Sequence, residues 1–426
     1  MRVLLVNKFH YRKGGSETYY FALADALRSL GHEVFFFAME DPRNEPCSQA
    51  KYFVSAKDYN GPSTVSEKVG AVTSFFYSKE AKEKFEALCE DVQPDVVHMN
   101  LVHRQITFSI LDAPYLRERH VPVVWTAHDS IAVCPNYTML DGAGDVCDAC
   151  VGGSSMNCLR RKCVKGSTAK SALATLEARY LNATRAYEKI DRIICPSQFL
   201  KSKMAEGGFP ESQLVTMPNF LPAGEIDGWL QECRKRSECK GFIFFGRLSK
   251  EKGPDVALEA FSKAIPRLPG DCNLLMVGDG PMRGQLEERS RELVLDGRVV
   301  FYGFKSGSEL RRLVGGSLFS VVSSACHENM PFSVVESLLA GTPVIGSRMG
   351  GIPELVTDGL TGFTFTSGNS EELSSLLTFA AQLPAVDYQK MQQAGRNFVK
   401  DRCSQATYMN KLIELYSTLI QQKKGN

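Results

Sequence analysis

The stretch FSVVSSACHENMPFSVVESLLAG, residues 319–341, decides the fold class of this 426-residue chain. Its first four residues are typical of a buried strand. Pro331 suits the first turn of a helix, and Gly341 suits the end of that helix. The stretch therefore predicts a strand, a loop and a helix in direct succession.

Two glutamates, Glu328 and Glu336, occupy this turn, one in the loop and one a turn into the helix. In open α/β sheets, ligands lie at the carboxyl ends of strands, where helix N-termini offer N–H groups to phosphates. A sugar nucleotide suits such a crevice, because its hydroxyls would meet the carboxylates and its diphosphate the N–H groups. The alternative is that two surface acids stand eight positions apart by chance.

A second strand, turn and helix is predicted by GFIFFGRLSKEKGPDVALEAF, residues 241–261. Arg247 and Lys252 lie in the turn, beside the predicted helix start. Cations in this position could neutralise the charge that grows on a departing nucleoside diphosphate. As an alternative, both are ordinary solvated side chains.

Two more strands end in glycine, namely LLMVG at 274–278 and VVFYG at 299–303. Gly278 and Phe304 are candidates for contacts with the base and ribose, or else the two glycines mark simple turns. Further strand and helix signals at 342–346 and 350–354 complete a series of units that predicts a doubly wound parallel sheet.

The amino-terminal half begins with another strand, and Ser16 to Leu30 is predicted to be an amphipathic helix that ends at Gly31. Gly14 and Gly15 precede this helix and could expose N–H groups to an anion, although such a pair is more often only a turn. Predicted strands also end in His98 and His128. Each histidine could point into a ligand crevice or could be a buried structural residue.

Composition excludes some classes of protein. The formal net charge is +2, and neither an aromatic-basic platform nor a recognition helix points to nucleic acid. No apolar run is long enough for a membrane span, and the apolar start is too short for a signal sequence, so a cytoplasmic protein is expected. Mixed aromatic and lysine stretches at 66–88 and 171–190 leave peripheral membrane contact open.

Five of the 13 cysteines lie in one loop-rich insert near 134–165. Thiolates at such spacing can close a structural zinc site, while free thiols in a loop are the alternative. The proposed ligands are Cys147, Cys150, Cys158 and Cys163.

The ordered set of motifs resembles the retaining GT-B glycosyltransferases of family 4 over most of the chain. The motifs are Gly-Arg247-Leu followed by Lys252-Gly, VGDG at 277–280, the Glu328 and Glu336 pair, GGIPE at 350–354 and DGLTG at 358–362. The resemblance implies two Rossmann-like domains that face a cleft, with a C-terminal helix that crosses back. We expect an N-terminal acceptor-side domain at 1–221 joined by the helix near 400–426, and a nucleotide-sugar domain at 222–399.

The resemblance also implies an activity, which is hexosyl transfer from a nucleoside-diphosphate sugar, such as a UDP-sugar or GDP-sugar, to a hydroxyl acceptor. We also expect retention of anomeric configuration and turnover without a catalytic metal. The expected role is bacterial cell-surface polysaccharide or glycolipid synthesis, with a lipid-linked glycan as acceptor. The implied catalytic residues are His128, Glu328, Arg247 and Lys252. The implied donor-binding residues are Gly14, Gly15, Gly278, Phe304, Met330, Pro331, Phe332, Ser333 and Glu336.

One departure and two alternatives accompany this expectation. Many relatives carry glycines directly after the first glutamate, whereas this chain has Asn329-Met-Pro-Phe. An inactive nucleotide-sugar-binding subunit is one alternative. A dinucleotide-dependent oxidoreductase is the other, and it is disfavoured because no Gly-x-Gly-x-x-Gly follows the first strand.

Overall fold

Parallel strands form two six-stranded sheets in the computed structural model, which describes residues 1–56, 74–295 and 297–425. The chain divides into two compact units. The first comprises Met1–Pro196, Leu200–Phe220 and Gln405–Asn426, and the second comprises Ser197–Phe199 and Leu221–Ser404. The predicted stretch at 66–88 lies partly outside the described residues.

The first unit is built on a sheet of order β2-β1-β3-β4-β5-β6. Its strands are β1 (Arg2–Val6), β2 (Glu33–Phe37), β3 (Val96–Met99), β4 (Val123–Thr126), β5 (Arg192–Cys195) and β6 (Leu214–Thr216). Its helices are α1 (Gly15–Ser29), α2 (Lys79–Val92), α3 (Pro114–Glu118), α4 (Met156–Arg160), α5 (Thr168–Ala183) and α6 (Gln198–Glu206), of which α6 belongs to this unit from Leu200 onward.

The second unit repeats the plan with the order β12-β11-β10-β7-β8-β9. Its strands are β7 (Phe242–Phe245), β8 (Leu274–Val277), β9 (Val299–Gly303), β10 (Phe319–Val322), β11 (Val344–Ser347) and β12 (Gly362–Phe365). Its helices are α7 (Ala223–Leu230), α8 (Pro254–Ala264), α9 (Arg283–Glu292), α10 (Gly307–Gly315), α11 (Phe332–Leu339), α12 (Ile352–Leu355), α13 (Ser370–Ala381) and α14 (Ala385–Arg402).

The central strands are mostly apolar because helices cover both faces of each sheet. Every residue of β3, β4, β8, β10 and β11 is buried. This pattern confirms the predicted doubly wound parallel sheet in both units. None of the described helices is both long enough and apolar enough to cross a membrane.

The spacing of apolar residues over Met391 to Ile420 predicts one continuous helix, and the structure differs from that expectation. Two helices are present, α14 and α15 (Gln405–Lys424), with a break at Cys403 and Ser404. Helical periodicity continues across the break, so spacing alone could not locate it. The two helices also belong to different units, α14 to the second and α15 to the first.

Helix α15 is held to the first unit by buried tyrosines. The Tyr416 hydroxyl hydrogen-bonds Nδ1 of His98, and the Tyr408 hydroxyl hydrogen-bonds that of Tyr19 on α1. Nε2 of His98 lies 2.7 Å from Oγ1 of Thr126. Burial lowers the pKa of His98 to about 3, so the ring is neutral. His98 is therefore a structural residue inside β3, not a side chain at a crevice.

Each sheet reverses its strand order at one point, which is where α/β proteins bind ligands. In the first unit the reversal lies between β1 and β3, and in the second between β7 and β10. The loops that follow β7 and β10 carry Arg247 and Glu328. Both residues therefore lie at the reversal point of the second sheet.

Glycines let the loops at this edge of the second sheet pack against one another. A Cβ on Gly278 (φ +135°) would lie 1.9 Å from the carbonyl oxygen of Gly246, and one on Gly350 would lie 2.2 Å from that of Glu328. A Cβ on Gly351 would lie 2.1 Å from the carbonyl oxygen of Asn329. The sequence suggested that Gly278 lets a ligand approach. In the structure, the backbone of Gly246 already occupies the space that a side chain at position 278 would need.

We expect Gly278→Ala to destabilise the second unit by at least about 2 kcal/mol, because the residue would combine a strained φ with a backbone clash. Gly284→Ala is the matched control. Gly284 lies in α9 with open space around its Cβ position, so alanine should stabilise by up to about 1 kcal/mol. Urea unfolding of both variants measures the difference, and equal stabilities would contradict the interlocked loops.

Candidate active site

The centre of the second unit's reversal point is an ion pair. Nζ of Lys252 lies 2.6 Å from Oε1 of Glu328, and the Ser324 hydroxyl donates to the same oxygen at 2.6 Å. Burial alone would lower the pKa of Lys252, yet the adjacent carboxylate of Glu328 leaves that pKa above its ordinary value. The structure thus brings two of the predicted residues together as a charged, hydrogen-bonded pair.

Arg247 lies at the same edge but is not engaged in this pair. Its side chain is exposed, and it lines a cavity of about 300 Å³ together with Gly278 and Phe304. Phe304 is 77% exposed, which is unusual for a large aromatic ring. The cavity therefore offers a guanidinium and an open aromatic face to a flat, charged ligand.

Glu336 on α11 is partly exposed and has no side-chain hydrogen bond among the described residues. Burial, helped by the negative charge of Glu225, raises the pKa of Glu336 to about 7. A partly exposed carboxyl that no protein donor engages is open to a ligand that supplies donors. Vicinal hydroxyls are suitable donors for such a group.

The loop between the glutamates leads into the start of α11. Met330 and Pro331 are buried, while Phe332 and Ser333 are partly exposed. Pro331 occupies the N-cap position, and no side chain caps the helix. The first N–H groups of α11 are therefore available, as phosphate binding at a helix start requires.

His128 follows β4 in the first unit, one residue beyond the buried Ala127. Its Nε2 lies 2.9 Å from Oδ1 of Asn100, and its ring packs edge-on against Tyr19 with centroids 5.1 Å apart. Burial lowers the pKa of His128 to about 4, so the imidazole is neutral near pH 7. A neutral ring suits hydrogen bonding to a sugar better than proton transfer.

Gly14 and Gly15 stand at the start of α1, which begins at Gly15 instead of Ser16. Gly14 is the N-cap residue with an extended backbone, and no side chain caps the helix. The buried Glu17 lies in its first turn. The N–H groups at the start of α1 therefore have no side-chain cap, as predicted. The carboxylate of Glu17 lies beside them and would repel an anion.

The cysteine insert is the candidate for a structural zinc site. No three His, Cys, Asp or Glu side chains in residues 1–56, 74–295 and 297–425 are arranged to hold a metal ion. Cys158 and Cys163 are buried, and burial raises the pKa of Cys158 to about 12, which keeps its thiol protonated. Sγ of Cys147 instead lies 3.3 Å from Nη1 of Arg161. Zinc binding by the insert stays a prediction, which metal analysis of untagged protein tests.

Two polar residues at these edges were not selected from the sequence. Ser324 shares the Glu328 carboxylate, and its position four residues before that glutamate carries no distinctive signal. Asp129 follows His128 directly and lies near Lys8 of the β1 edge. The adjacency of Asp129 to a candidate residue was the only available signal.

Comparison with known proteins matches both halves of the chain to glycosyltransferase families. The family model described as glycosyltransferase family 4 matches residues 13–223, and that described as glycosyl transferases group 1 matches residues 227–398. Among curated relatives, N-acetyl-alpha-D-glucosaminyl L-malate synthase of Bacillus anthracis is 27% identical over 54% of this chain and 60% of its own length. Lipopolysaccharide 1,2-N-acetylglucosaminetransferase of Salmonella typhimurium is 29% identical over 40% of this chain and 48% of its own length. The matched segments thus span about half the length of these relatives.

Solved structures match the whole fold. Anabaena HepE in complex with UDP and glucose superposes with a TM-score of 0.64 at 18% identity, covering 98% of this chain and 100% of its own. Sucrose-phosphate synthase of Thermosynechococcus elongatus superposes with a TM-score of 0.66 at 18% identity, covering 99% of both chains. At this identity the likeness establishes the GT-B fold and not the ligands.

We expect affinity for a sugar nucleotide to rise roughly tenfold between pH 6 and pH 8 if ribose hydroxyls donate to Glu336. Donation favours the ionised carboxylate, and the pKa of about 7 means that this form gains population across that range. Calorimetry with an intact sugar nucleotide avoids the terminal phosphate ionisation of a free nucleoside diphosphate. Glu336→Gln should bind weakly and without this pH dependence, and a flat profile in the unmodified protein would contradict the assignment.

Proposed function

Because the chain belongs to the group 1 glycosyltransferases of family 4, we propose that it transfers a sugar from a nucleoside-diphosphate sugar to a hydroxyl acceptor, with retention of anomeric configuration. The Lys252–Glu328 pair at the reversal point of the second sheet carries this proposal. It places a cation and an oriented carboxylate in the crevice where α/β proteins bind nucleotides.

The diphosphate is assigned to two positively charged side chains, Arg247 and Lys252. Arg247 presents an exposed fork of donors, and Lys252 presents an ammonium that Glu328 already orients. Both would stabilise the charge that builds on the departing diphosphate, together with the uncapped start of α11. These groups supply the role that a divalent cation fills elsewhere, so we propose turnover without a catalytic metal, which insensitivity to EDTA tests.

The nucleoside is assigned to the cavity that Phe304 and Gly278 line, with its ribose hydroxyls on Glu336. The carboxyl of Glu336, which is partly exposed and accepts no hydrogen bond among the described residues, supports this division. The transferred sugar is assigned to the other glutamate, Glu328, which Lys252 and Ser324 hold in place. From the first unit, His128 and the Gly14–Gly15 turn are proposed donor contacts on the strength of the family resemblance.

Retention is proposed to proceed by attack on the face from which the diphosphate leaves. The bond between the anomeric carbon and the phosphate oxygen breaks, the bond to the acceptor oxygen forms, and the leaving phosphate takes the acceptor proton. The proposal assigns no covalent nucleophile: Oε1 of Glu328 accepts hydrogen bonds from Lys252 and Ser324, and burial raises the pKa of Cys326 to about 12, which keeps its thiol protonated. Proton NMR of the freshly formed product reads its anomeric configuration.

The acceptor is proposed to be a cell-surface glycan or glycolipid precursor. The curated relatives include a lipopolysaccharide N-acetylglucosaminetransferase and a phosphatidylinositol dimannoside mannosyltransferase of Mycobacterium tuberculosis, 35% identical over 42% of this chain and 46% of its own length. Such acceptors are bound to lipid, so peripheral membrane contact belongs to the same proposal.

We expect Arg247→Ala to lower the turnover of a sugar nucleotide by on the order of a hundredfold, because a charge-stabilising group is lost from the transition state. Release of the nucleoside diphosphate measures turnover. Lys250→Ala is the matched control, since Lys250 is an exposed cation in the same turn. Equal turnover in the two variants would remove Arg247 from the site, and absence of any turnover in the unmodified protein would favour an inactive binding subunit.

A further inference from the structure

The first unit has a cavity of about 590 Å³ at the edge of its sheet where the strands begin. Its lining includes Val123, the first residue of β4, and Asp191, which directly precedes β5. His128 follows the other end of β4, so this amino-end cavity lies across the sheet from the crevice of the candidate residues. Its volume is sufficient for a small organic ligand.

Both carboxylates at the amino-end cavity are already paired with lysines. The ammonium of Lys189 bonds Oδ1 of Asp112, and Nζ of Lys423 on α15 lies 2.9 Å from Oδ1 of Asp191. The other carboxylate oxygen of Asp191 accepts from the N–H of Val123 at 2.8 Å. The four charged groups therefore balance one another.

Two further cations line the amino-end cavity without a counter-ion. Within the described part of the chain, the side chains of Lys82 on α2 and Arg117 on α3 make no hydrogen bond and no ion pair. Glu86 stands one helical turn after Lys82, but its carboxylate accepts from the N–H of Tyr115 at 3.0 and 3.1 Å. That bond also ties α2 to α3, which keeps both cations at one cavity.

The rest of the lining is mainly apolar. Leu111, Leu116, Val121 and Val123 are buried, and Pro114 begins α3. An apolar wall beside two unbalanced positive charges suits a ligand that joins an apolar group to a compact anion. A phosphate monoester meets both requirements, because its phosphate carries a charge of about −1.5 to −2 at neutral pH and three acceptor oxygens.

We propose that the amino-end cavity binds a phosphate monoester, with Lys82 and Arg117 donating to the phosphate oxygens and the esterified group packed on Leu111 and Leu116. The site is independent of the proposed function, because it lies at the opposite edge of the sheet from the crevice. The phosphate can belong to a soluble ester or to the headgroup of a phosphomonoester lipid, and two binding assays distinguish these sources.

Calorimetry with phenyl phosphate tests the soluble source. We expect phenyl phosphate to bind at least about fivefold more tightly than inorganic phosphate, because its ring adds apolar contact. Lys82→Gln and Arg117→Gln should each weaken its binding at least about tenfold, since a charged hydrogen bond is lost. Lys79→Gln in α2 and Arg119→Gln at the end of α3 are the matched controls, because both residues are exposed cations outside the cavity lining. The controls should bind as the unmodified protein does.

Sedimentation with vesicles tests the lipid source. Phosphatidic acid in phosphatidylcholine vesicles presents a phosphate monoester at a surface, whereas phosphatidylcholine alone presents none. A lipid source predicts sedimentation with the first vesicles only, and Lys82→Gln and Arg117→Gln should each lower the bound fraction at least about fivefold relative to the controls. Binding that requires both cations, in either assay, supports the proposal and identifies the source.

The crevice of the second unit also presents cations to a phosphate, and Arg247→Ala separates the two sites. We expect phenyl phosphate to bind this variant as it binds the unmodified protein. Binding that is lost in Arg247→Ala but kept in Lys82→Gln and Arg117→Gln would overturn the proposal, as would equal losses in the control variants or no binding in either assay. Every variant should unfold at nearly the temperature of the unmodified protein, because the cavity cations have no described partner to lose.

Discussion

The ion pair between Lys252 and Glu328 is the interaction on which the second unit's crevice depends. It joins the loop after β7 to the loop after β10, which are the two strands at the reversal of the sheet. Its setting is rigid, because Gly350 packs against the backbone of Glu328 and Gly253 against that of Ser323. A charged pair in so constrained a place can orient a substrate at little cost in reorganisation.

The reversal point of the second unit presents charge in two forms. The cation and the carboxylate are bonded at 2.6 Å, and a third charged group, Arg247, stays exposed. A bonded pair presents a preorganised field to a strongly charged ligand such as a diphosphate. The exposed guanidinium adds donors that a diphosphate can engage directly.

Local sequence was sufficient for the elements of the second unit. The strand, loop and helix of residues 319–341 were predicted because apolar runs, Pro331 and Gly341 each specify local structure. The same evidence failed where the outcome depends on tertiary contacts. Apolar periodicity did not reveal the break at Cys403, since the helices on both sides bury residues at helical spacing. His98 looked like a crevice residue until Tyr416, 318 positions away, was seen to bond it.

The residues of the candidate site were also predictable only in part. Glu328, Glu336, Arg247 and Lys252 could be selected because they lie beside strand ends in an ordered series of motifs. The bond between Lys252 and Glu328 and the raised pKa of Glu336 could not, since they arise from burial and from residues distant in sequence. The steric role of Gly278 likewise requires coordinates. Spacing in the cysteine insert suggested a structural zinc, which stays a prediction because no group of three ligand side chains is formed in the part of the chain that the structure describes.

A double-mutant cycle on Lys252 and Glu328, read out as turnover of a sugar nucleotide, tests the central claim most directly. If the pair acts as one unit, Lys252→Ala and Glu328→Gln should each cost on the order of a hundredfold, and the double variant should lose little more than either alone. Losses that multiply in the double variant would show that the two side chains act independently, and they would contradict the account.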